Sequence, residues 1–130
     1  MRTLHSICAV GDKSIVVTGS MITYAGNKAE LYNCEHNVWV DLPELPQSRY
    51  YHASCSFKER FVYIFGGMSS NTDASEDMSI QVIDVAYADH TQAWTDLKLN
   101  PESAQLTQRY SLIAMQYSKE EIVILGGTFK

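Results

Sequence analysis

The stretch from Arg49 to Gly67 reads RYYHASCSFKERFVYIFGG, and it contains the pattern that decides the fold. From Tyr51 to Phe57, side chains alternate with a period of two, which is typical of a β-strand. The short apolar run Phe61–Phe65 predicts a second strand, and the charged residues Lys58–Arg60 predict the hairpin turn between the two strands. A glycine pair then ends the second strand, where glycine permits a positive φ and the close approach of a neighbouring backbone.

The same pattern occurs at two other places in the chain. An arginine lies 17 residues before a glycine three times: Arg2 before Gly19, Arg49 before Gly66, and Arg109 before Gly126. A Trp-x-Asp-Leu sequence follows in the first two copies, beginning at Trp39 and at Trp94. The differences in length between copies fall in the connections, as a repeated supersecondary unit tolerates. The sequence therefore predicts one domain over residues 1–130, with repeat one at 2–48, repeat two at 49–108 and the first part of a third repeat at 109–130.

Each full repeat is predicted to form one four-stranded antiparallel sheet, and no segment has a convincing helical period, so the predicted fold class is all-β. Inner strands are predicted at Arg2–Val10, Tyr51–Phe57 and Tyr110–Tyr117, third strands at Glu30–Cys34 and Ile80–Val85, and fourth strands at Asn37–Leu42 and Ala93–Leu97. Ile7–Val10 is apolar at both parities, which predicts that both faces of the inner strands are buried.

These segments resemble kelch repeats, which form the blades of kelch β-propellers. The family pattern is an apolar strand, a Gly-Gly pair, and then a Tyr and a Trp at a short spacing. The matching residues are Gly19, Gly66, Gly67, Gly126, Gly127, Tyr32, Trp39 and Trp94. Ser20 replaces the second glycine of the first repeat, and Ile83 stands where the second repeat would have its Tyr. The resemblance implies four-stranded antiparallel blades of an incomplete kelch-type β-propeller, with about two and a half blades in this chain.

Composition narrows the classes of function. The chain has 130 residues and a formal net charge of −5, which argues against a nucleic-acid or anionic-membrane binder held by bulk charge. Three cysteines are an odd number, and this favours a reducing compartment over a disulfide framework. The sequence has no apolar run long enough for a membrane span or a signal peptide, so a cytoplasmic location is expected.

Metal, cofactor and catalytic sites are not indicated by the motifs. His5-x-x-Cys8 and His52-x-x-Cys55 have an odd spacing, which points His and Cys to opposite faces of a strand. The polar loop from Ser69 to Asp77 departs from a calcium-binding loop at its glycine and glutamate positions. No phosphate-binding loop or nucleophile motif occurs. We therefore expect no cofactor, no metal and no catalytic residue in this chain.

The repeated arginines are the most informative polar positions. The resemblance places them where the first strand of a blade begins, near the mouth of the central channel. One interpretation is structural, with the guanidiniums bound to loop carbonyls or neighbouring acids. The other is functional, with the guanidiniums holding a carboxylate of a partner, and both can hold together. The rim that carries Arg49, Tyr50, Arg109 and Tyr110 also carries the long loops Met68–Ser79 and Lys98–Gln108, so these four residues are the predicted partner-binding set.

Three hypotheses on function remain at this point. The first is a non-catalytic scaffold module that binds a protein or peptide partner, possibly acidic, through its loop rim. The second is a fragment of a kelch-propeller enzyme whose active-site residues lie outside this chain, and the third is a structural subunit completed by another chain. All three need further kelch blades or another chain to close the propeller, and an unstacked face carrying Ile113, Met115, Ile122 and Ile124 is expected.

Overall fold

The computed structural model describes residues 1–69, 79–86, 92–97, 99–100 and 108–129. The strands in these ranges are β1 (Ser6–Val10), β2 (Ser14–Thr18), β3 (Ala29–Asn33), β4 (Val38–Leu42), β5 (Ala53–Phe57), β6 (Phe61–Phe65), β7 (Gln81–Asp84), β8 (Thr95–Asp96), β9 (Arg109–Gln116) and β10 (Ile122–Phe129). A short 3₁₀ turn lies at Thr23–Ala25, between β2 and β3. No helical segment of the described residues is long or apolar enough to pass through a bilayer.

The strands form two separate four-stranded antiparallel sheets and one hairpin. The first sheet has the order β1-β2-β3-β4, the second has the order β5-β6-β7-β8, and the hairpin is β9-β10. All pairs of neighbours are antiparallel. The predicted all-β class is therefore confirmed, as is the prediction that each full repeat forms its own four-stranded sheet.

The strand boundaries differ from the prediction by more than one residue at β1, β5 and β8. The first and second inner strands begin later than predicted, at Ser6 and Ala53, and the residues two positions before them, Leu4 and Tyr51, have φ of 56° and 55°, outside the extended region. The last strand of the second sheet is only Thr95–Asp96, so Trp94 precedes the strand in which it was predicted. The predicted second strand at Phe61–Phe65 matches β6 residue for residue.

The two sheets and the hairpin stack in chain order, with their first strands side by side. One core cluster lies between the first and second sheets and includes Val16, Leu31, Val62 and Ile64, all of them buried. A second cluster lies between the second sheet and the hairpin and includes Cys55, Phe65 and Leu112. The second sheet is thus covered on both faces, whereas the first sheet and the hairpin each have one open face.

The open faces correct two predictions. Ile7 is 59% exposed, because it points to the open face of the first sheet; burial of both faces is observed for β5 and not for β1. Ile122 and Ile124 pack against the second sheet, so they do not lie on an unstacked face. The open face of the hairpin carries Ile113, Met115 and Leu125, which are 65%, 53% and 54% exposed.

The two tryptophans occupy matching places with opposite surroundings. Trp94 is 6% exposed, packs into the cluster between the sheets, and donates its indole N–H to the Pro43 carbonyl at 2.8 Å. Trp39 is 58% exposed on the open face of the first sheet, where its ring lies 5.0 Å from that of Tyr32. Trp94 therefore fills the space against the first sheet, whereas no other sheet of the described residues packs on the face that carries Trp39.

Candidate functional site: the rim where the first strands begin

The 17-residue spacing between arginine and glycine has a direct structural cause. In all three copies the arginine Nη1 donates a hydrogen bond to the carbonyl of the glycine that lies 17 residues later. The pairs are Arg2 with Gly19 at 3.0 Å, Arg49 with Gly66 at 3.2 Å, and Arg109 with Gly126 at 3.3 Å. Each guanidinium therefore ties the start of an inner strand to the end of the strand that returns beside it.

Two of the arginines also bind the segment that leads into the third strand. Arg2 donates to the Lys28 carbonyl at 3.1 Å, and Arg49 donates to the Ser79 carbonyl at 3.0 Å. Both acceptors lie one or two residues before the third strand of their sheet. The structural interpretation of these arginines, with guanidiniums bound to loop carbonyls, is therefore confirmed.

The surroundings of Arg49 are unusual for a charged side chain. It has no exposed surface, and burial lowers the pKa of its guanidinium to about 10, while the charge of Asp96 opposes that shift. Its other hydrogen bond is a long one of 3.4 Å from Nη2 to Gln47, and its Nε has no hydrogen-bond partner. A carboxylate of a partner could reach this guanidinium only after the surrounding segments moved, so Arg49 is the member of the predicted binding set that is least accessible.

Arg109 lies in a more open place. Its guanidinium carbon is 3.9 Å from the centre of the Phe129 ring, a cation–π geometry, and Nη1 lies 3.3 Å from the Gly127 carbonyl. The residue is half-buried, because the hairpin has no third strand beside it in the described ranges. Arg109 therefore keeps an accessible positive charge at the rim.

The repeated glycines are required by close contact between successive copies. Gly19 has φ +66°, and a Cβ there would lie 2.3 Å from the Arg49 carbonyl oxygen. Gly66 has φ +59°, and its Cβ would lie 2.2 Å from the Arg109 carbonyl oxygen. In both cases the residue after the glycine donates its backbone N–H to the same carbonyl: Ser20 donates to Arg49, and Gly67 donates to Arg109. Arg49 and Arg109 thus each bind their own repeat through the side chain and the preceding sheet through the backbone carbonyl.

Ser20, which stands where the other two copies have their second glycine, has a role of its own. It is fully buried, and its hydroxyl accepts hydrogen bonds from the backbone N–H groups of Thr3 and Ile22 at 3.2 and 3.1 Å. At the matching position Gly67 has φ +101° and would place a Cβ 2.8 Å from both His52 and Tyr50. The hydroxyl at Ser20 therefore supplies a contact that the first copy uses in place of a second glycine.

A second repeated backbone feature lies at the same rim. Leu4, Tyr51 and Ser111 occupy matching positions, and their φ angles are 56°, 55° and 57°. The Tyr51 N–H donates to the Leu4 carbonyl at 3.1 Å, and the Ser111 N–H donates to the Tyr51 carbonyl at 2.8 Å. These residues therefore link the three copies through their backbones at the innermost edge of the rim, despite a conformation that L-residues adopt at a cost of roughly 1–2 kcal/mol each.

Three tyrosine rings come together on this rim, and we call them the aromatic row. The Tyr50 and Tyr51 rings are 5.4 Å apart, and the Tyr51 and Tyr110 rings are 6.1 Å apart. Tyr51 is 40% exposed, and Tyr50 and Tyr110 are half-buried. The structure thus brings the predicted residues Tyr50 and Tyr110 together, with Tyr51 between them.

Tyr51 was missed by the sequence reasoning. It was predicted only as the first residue of an inner strand, whereas the residue has a positive φ, precedes β5 and is 40% exposed. The adjacent tyrosines at 50 and 51 were the available signal, since Tyr is enriched among the residues that dominate binding energies. The long loops predicted at Met68–Ser79 and Lys98–Gln108 lie mostly outside the described residues.

The histidine and cysteine positions are arranged for packing. The His52 ring is buried against the first sheet and shares a 2.8 Å hydrogen bond with Thr18, whereas Cys55 packs into the cluster on the other face. This confirms that the two side chains point to opposite faces. Burial raises the pKa of the Cys8 thiol to about 11 and that of Cys55 to about 12, so both stay protonated at neutral pH. Within the described ranges, no group of three metal-binding side chains occurs.

A scan against protein-family models matches no family, and a search of curated proteins finds no relative of this chain.

Proposed function

We propose that this chain is part of a kelch-type β-propeller, with two blades at 2–48 and 49–108 and the inner half of a third at 109–130. The observation that carries the proposal is the arginine that binds the glycine 17 residues later in three successive copies. A further support is the stacking of the two sheets and the hairpin through their faces, which is how propeller blades pack around an axis.

We further propose that the module is non-catalytic and binds a protein or peptide partner at the rim that carries the aromatic row. Tyrosine supplies a large contact area, little loss of side-chain entropy and a polar hydroxyl, and it is enriched among the residues that dominate binding energies. The row lies on a backbone that is fixed by hydrogen bonds between copies, so the rings are held in place before a partner arrives.

Arg109 indicates the chemistry of the partner. Its charge lies beside Tyr110 at the same rim and is half-buried, and its stacking on Phe129 leaves it without a carboxylate partner within the described ranges. A partner with an acidic side chain next to an apolar or aromatic one would use both features. Tyr50, Tyr51, Tyr110 and Arg109 are therefore the proposed binding residues, and Arg49 is given the supporting role that its burial suggests.

The test uses peptides selected against the full chain from an unbiased displayed library, with Kd measured for each selected peptide. Tyr110→Ser and Tyr51→Asn remove rings of the aromatic row, and Asn tolerates the positive φ at position 51. We expect each variant to weaken binding by about thirtyfold, the equivalent of about 2 kcal/mol. Peptides should also be enriched in Asp or Glu.

Tyr117→Ser is the matched control. Tyr117 directly follows β9, at the opposite end from Tyr110, and is 74% exposed. If Tyr117→Ser weakens binding while Tyr110→Ser and Tyr51→Asn do not, the binding surface is the opposite rim and the proposal is wrong.

A further inference from the structure

The aromatic row carries three hydroxyl groups that are not used within the described residues. The Tyr51 ring lies beside those of Tyr50 and Tyr110, but none of the three hydroxyls makes a hydrogen bond with another described group. Tyr51 is 40% exposed, and neither the Tyr50 nor the Tyr110 hydroxyl is among the buried polar atoms that lack a partner. A phenol hydroxyl can donate one hydrogen bond. The row therefore offers apolar ring surface together with donors that oxygen atoms of a ligand can satisfy.

The backbone beneath the rings has its own donors already in use. The Tyr50 N–H donates to the Met68 carbonyl at 2.9 Å, the Tyr51 N–H to the Leu4 carbonyl at 3.1 Å, and the Ser111 N–H to the Tyr51 carbonyl at 2.8 Å. A partner that adds a β-strand needs a row of unpaired backbone groups along an edge. These residues do not supply one, so a partner at the row must be recognised through side chains.

The spacing of the rings suits two kinds of helical ligand, and hydrogen bonding separates them. The ring centres are 5.4 and 6.1 Å apart. One turn of an α-helix rises about 5.4 Å, and two residues of a polyproline II helix advance about 6.2 Å. An α-helix uses most of its carbonyls internally, so it leaves few acceptors for the tyrosine hydroxyls. A polyproline II helix has no internal hydrogen bonds, so its carbonyls are free, and proline has no N–H that needs a partner.

We infer that the partner binds the aromatic row through a proline-rich segment in the polyproline II conformation. Its proline rings pack on the tyrosine rings, and the hydroxyls of Tyr50 and Tyr110 donate to its backbone carbonyls. Arg109 directly precedes Tyr110, so an acidic residue beside the proline segment meets a positive charge. This assignment rests on the proposed binding at the aromatic row and names the class of peptide that binds there.

The test uses the full chain, with ¹³C-labelled tyrosine rings, and a synthetic peptide of eight prolines with two glutamates at each end. The titration is followed by NMR at a chain concentration where light scattering shows a single copy. We expect the ring signals of Tyr50, Tyr51 and Tyr110 to shift together, whereas Tyr117, which is 74% exposed after the far end of β9, stays unchanged. Absence of any shift in the row at millimolar peptide would overturn the inference.

A peptide of the same composition, with D-proline at alternate positions, separates the polyproline II shape from composition and charge. D-proline fixes φ with the opposite sign, so this peptide cannot form the left-handed helix. We expect it to bind at least tenfold more weakly than the L-proline peptide. Equal binding by the two peptides would overturn the inference, because apolar and charged groups without the helix would then account for the affinity.

Tyr50→Phe and Tyr110→Phe keep the rings and remove only the hydroxyls. We expect each variant to weaken binding of the L-proline peptide about fivefold, because one hydrogen bond to a peptide carbonyl is lost. Tyr117→Phe is the matched control and should bind as the parent chain does. A loss at either position of the row supports the inference, and no loss at either would overturn it.

The peptides selected from the displayed library keep this inference separate from the proposed function. If they lose affinity with Tyr110→Ser and Tyr51→Asn but contain no proline segment, and the L-proline peptide does not bind, the proposed function stands and the polyproline II inference is wrong. If they are rich in proline and lose affinity with the same variants, both are supported.

Discussion

At the scale of single residues, the main finding is that one arginine position has three different surroundings. Arg2 forms an ion pair with Glu30 at 2.5 Å, Arg49 is fully buried on backbone carbonyls, and Arg109 stacks on an aromatic ring. The contact with the glycine 17 residues later is common to all of them. The other contacts of each arginine depend on its position in the stack, because only Arg49 belongs to the sheet that is covered on both faces.

The burial of Arg49 predicts a large effect on stability. Arg49→Ala would leave the Gly66 and Ser79 carbonyls without a donor in a buried place, and we expect a loss of about 3 kcal/mol in the free energy of unfolding. Arg2→Ala is the matched control at the open end of the stack, with an expected loss of about 1 kcal/mol. Urea unfolding followed by circular dichroism measures both, and equal losses would contradict the explanation from burial.

His52 predicts a pH dependence of stability. Burial, with smaller contributions from the charges of Arg49 and His5, lowers its pKa from an ordinary value of about 6.5 to about 3. Below about pH 6.5 the unfolded chain therefore takes up a proton that the folded chain does not. Stability is fully present above that pH and falls as the pH decreases toward 3.

The measurement for His52 is the unfolding midpoint in urea between pH 7 and pH 5, where most carboxylates remain ionised. In that window we expect the His52→Gln variant to lose less stability than the parent chain, because Gln can still bond to Thr18 but does not titrate. The other histidines are present in both proteins and cancel in the comparison. Parallel curves for the two proteins would mean that His52 is not the group responsible.

At the scale of elements, the glycines set how closely successive sheets approach. Gly66→Ala combines a positive φ with a Cβ 2.2 Å from the Arg109 carbonyl, and we expect a loss of about 3 kcal/mol. Gly126 has a similar φ of +72° but nothing within 4 Å of its Cβ, so Gly126→Ala should cost only about 1 kcal/mol. Thermal melts of the two variants test this difference, and a Gly126 variant as unstable as the Gly66 variant would show that φ alone explains the glycines.

The elements were largely predictable, since the apolar runs and the repeat determine which segments are strands. Phe61–Phe65 was predicted to the residue, because a short apolar run bounded by a charged turn and glycines has one reasonable interpretation. The late start of β1 and β5 was not predicted. Leu4 and Tyr51, two residues before these strands, have a positive φ, which residue types that rarely adopt it do not reveal in the sequence. For the site, the repeat places Tyr50 and Tyr110 at matching strand entries, and the ring of each lies beside that of Tyr51. The burial of Arg49, in contrast, depends on contacts from a second sheet that no local pattern encodes.

At the scale of the whole molecule, the two open faces are different surfaces. The first sheet exposes Ile7 and Trp39, and the hairpin exposes Ile113, Met115 and Leu125. Each is the counterpart of a face that is buried between successive copies within the chain. A contact between the two open faces would therefore be head-to-tail, and such contacts build rings or open chains of copies.

We accordingly expect the isolated chain to associate in a concentration-dependent way. Light scattering after size exclusion measures this, and Ile113→Lys should shift the average mass toward that of one copy, because it places a charge on the open face of the hairpin. Tyr24→Lys is the control, since Tyr24 is 71% exposed in the 3₁₀ turn, away from the hairpin. A monodisperse single copy with a cooperative melt would contradict the prediction.

The contrast between the two tryptophans gives the protein one optical signal for the open face of the first sheet and another for the interface between the first and second sheets. Trp94, shielded and bonded to Pro43, should emit at short wavelength and resist quenching by iodide, whereas Trp39 should emit at longer wavelength and be quenched readily. Whatever covers the open face of the first sheet would withdraw Trp39 from the quencher and leave Trp94 unchanged. A titration read by fluorescence can thus report when that face is occupied, with no added label.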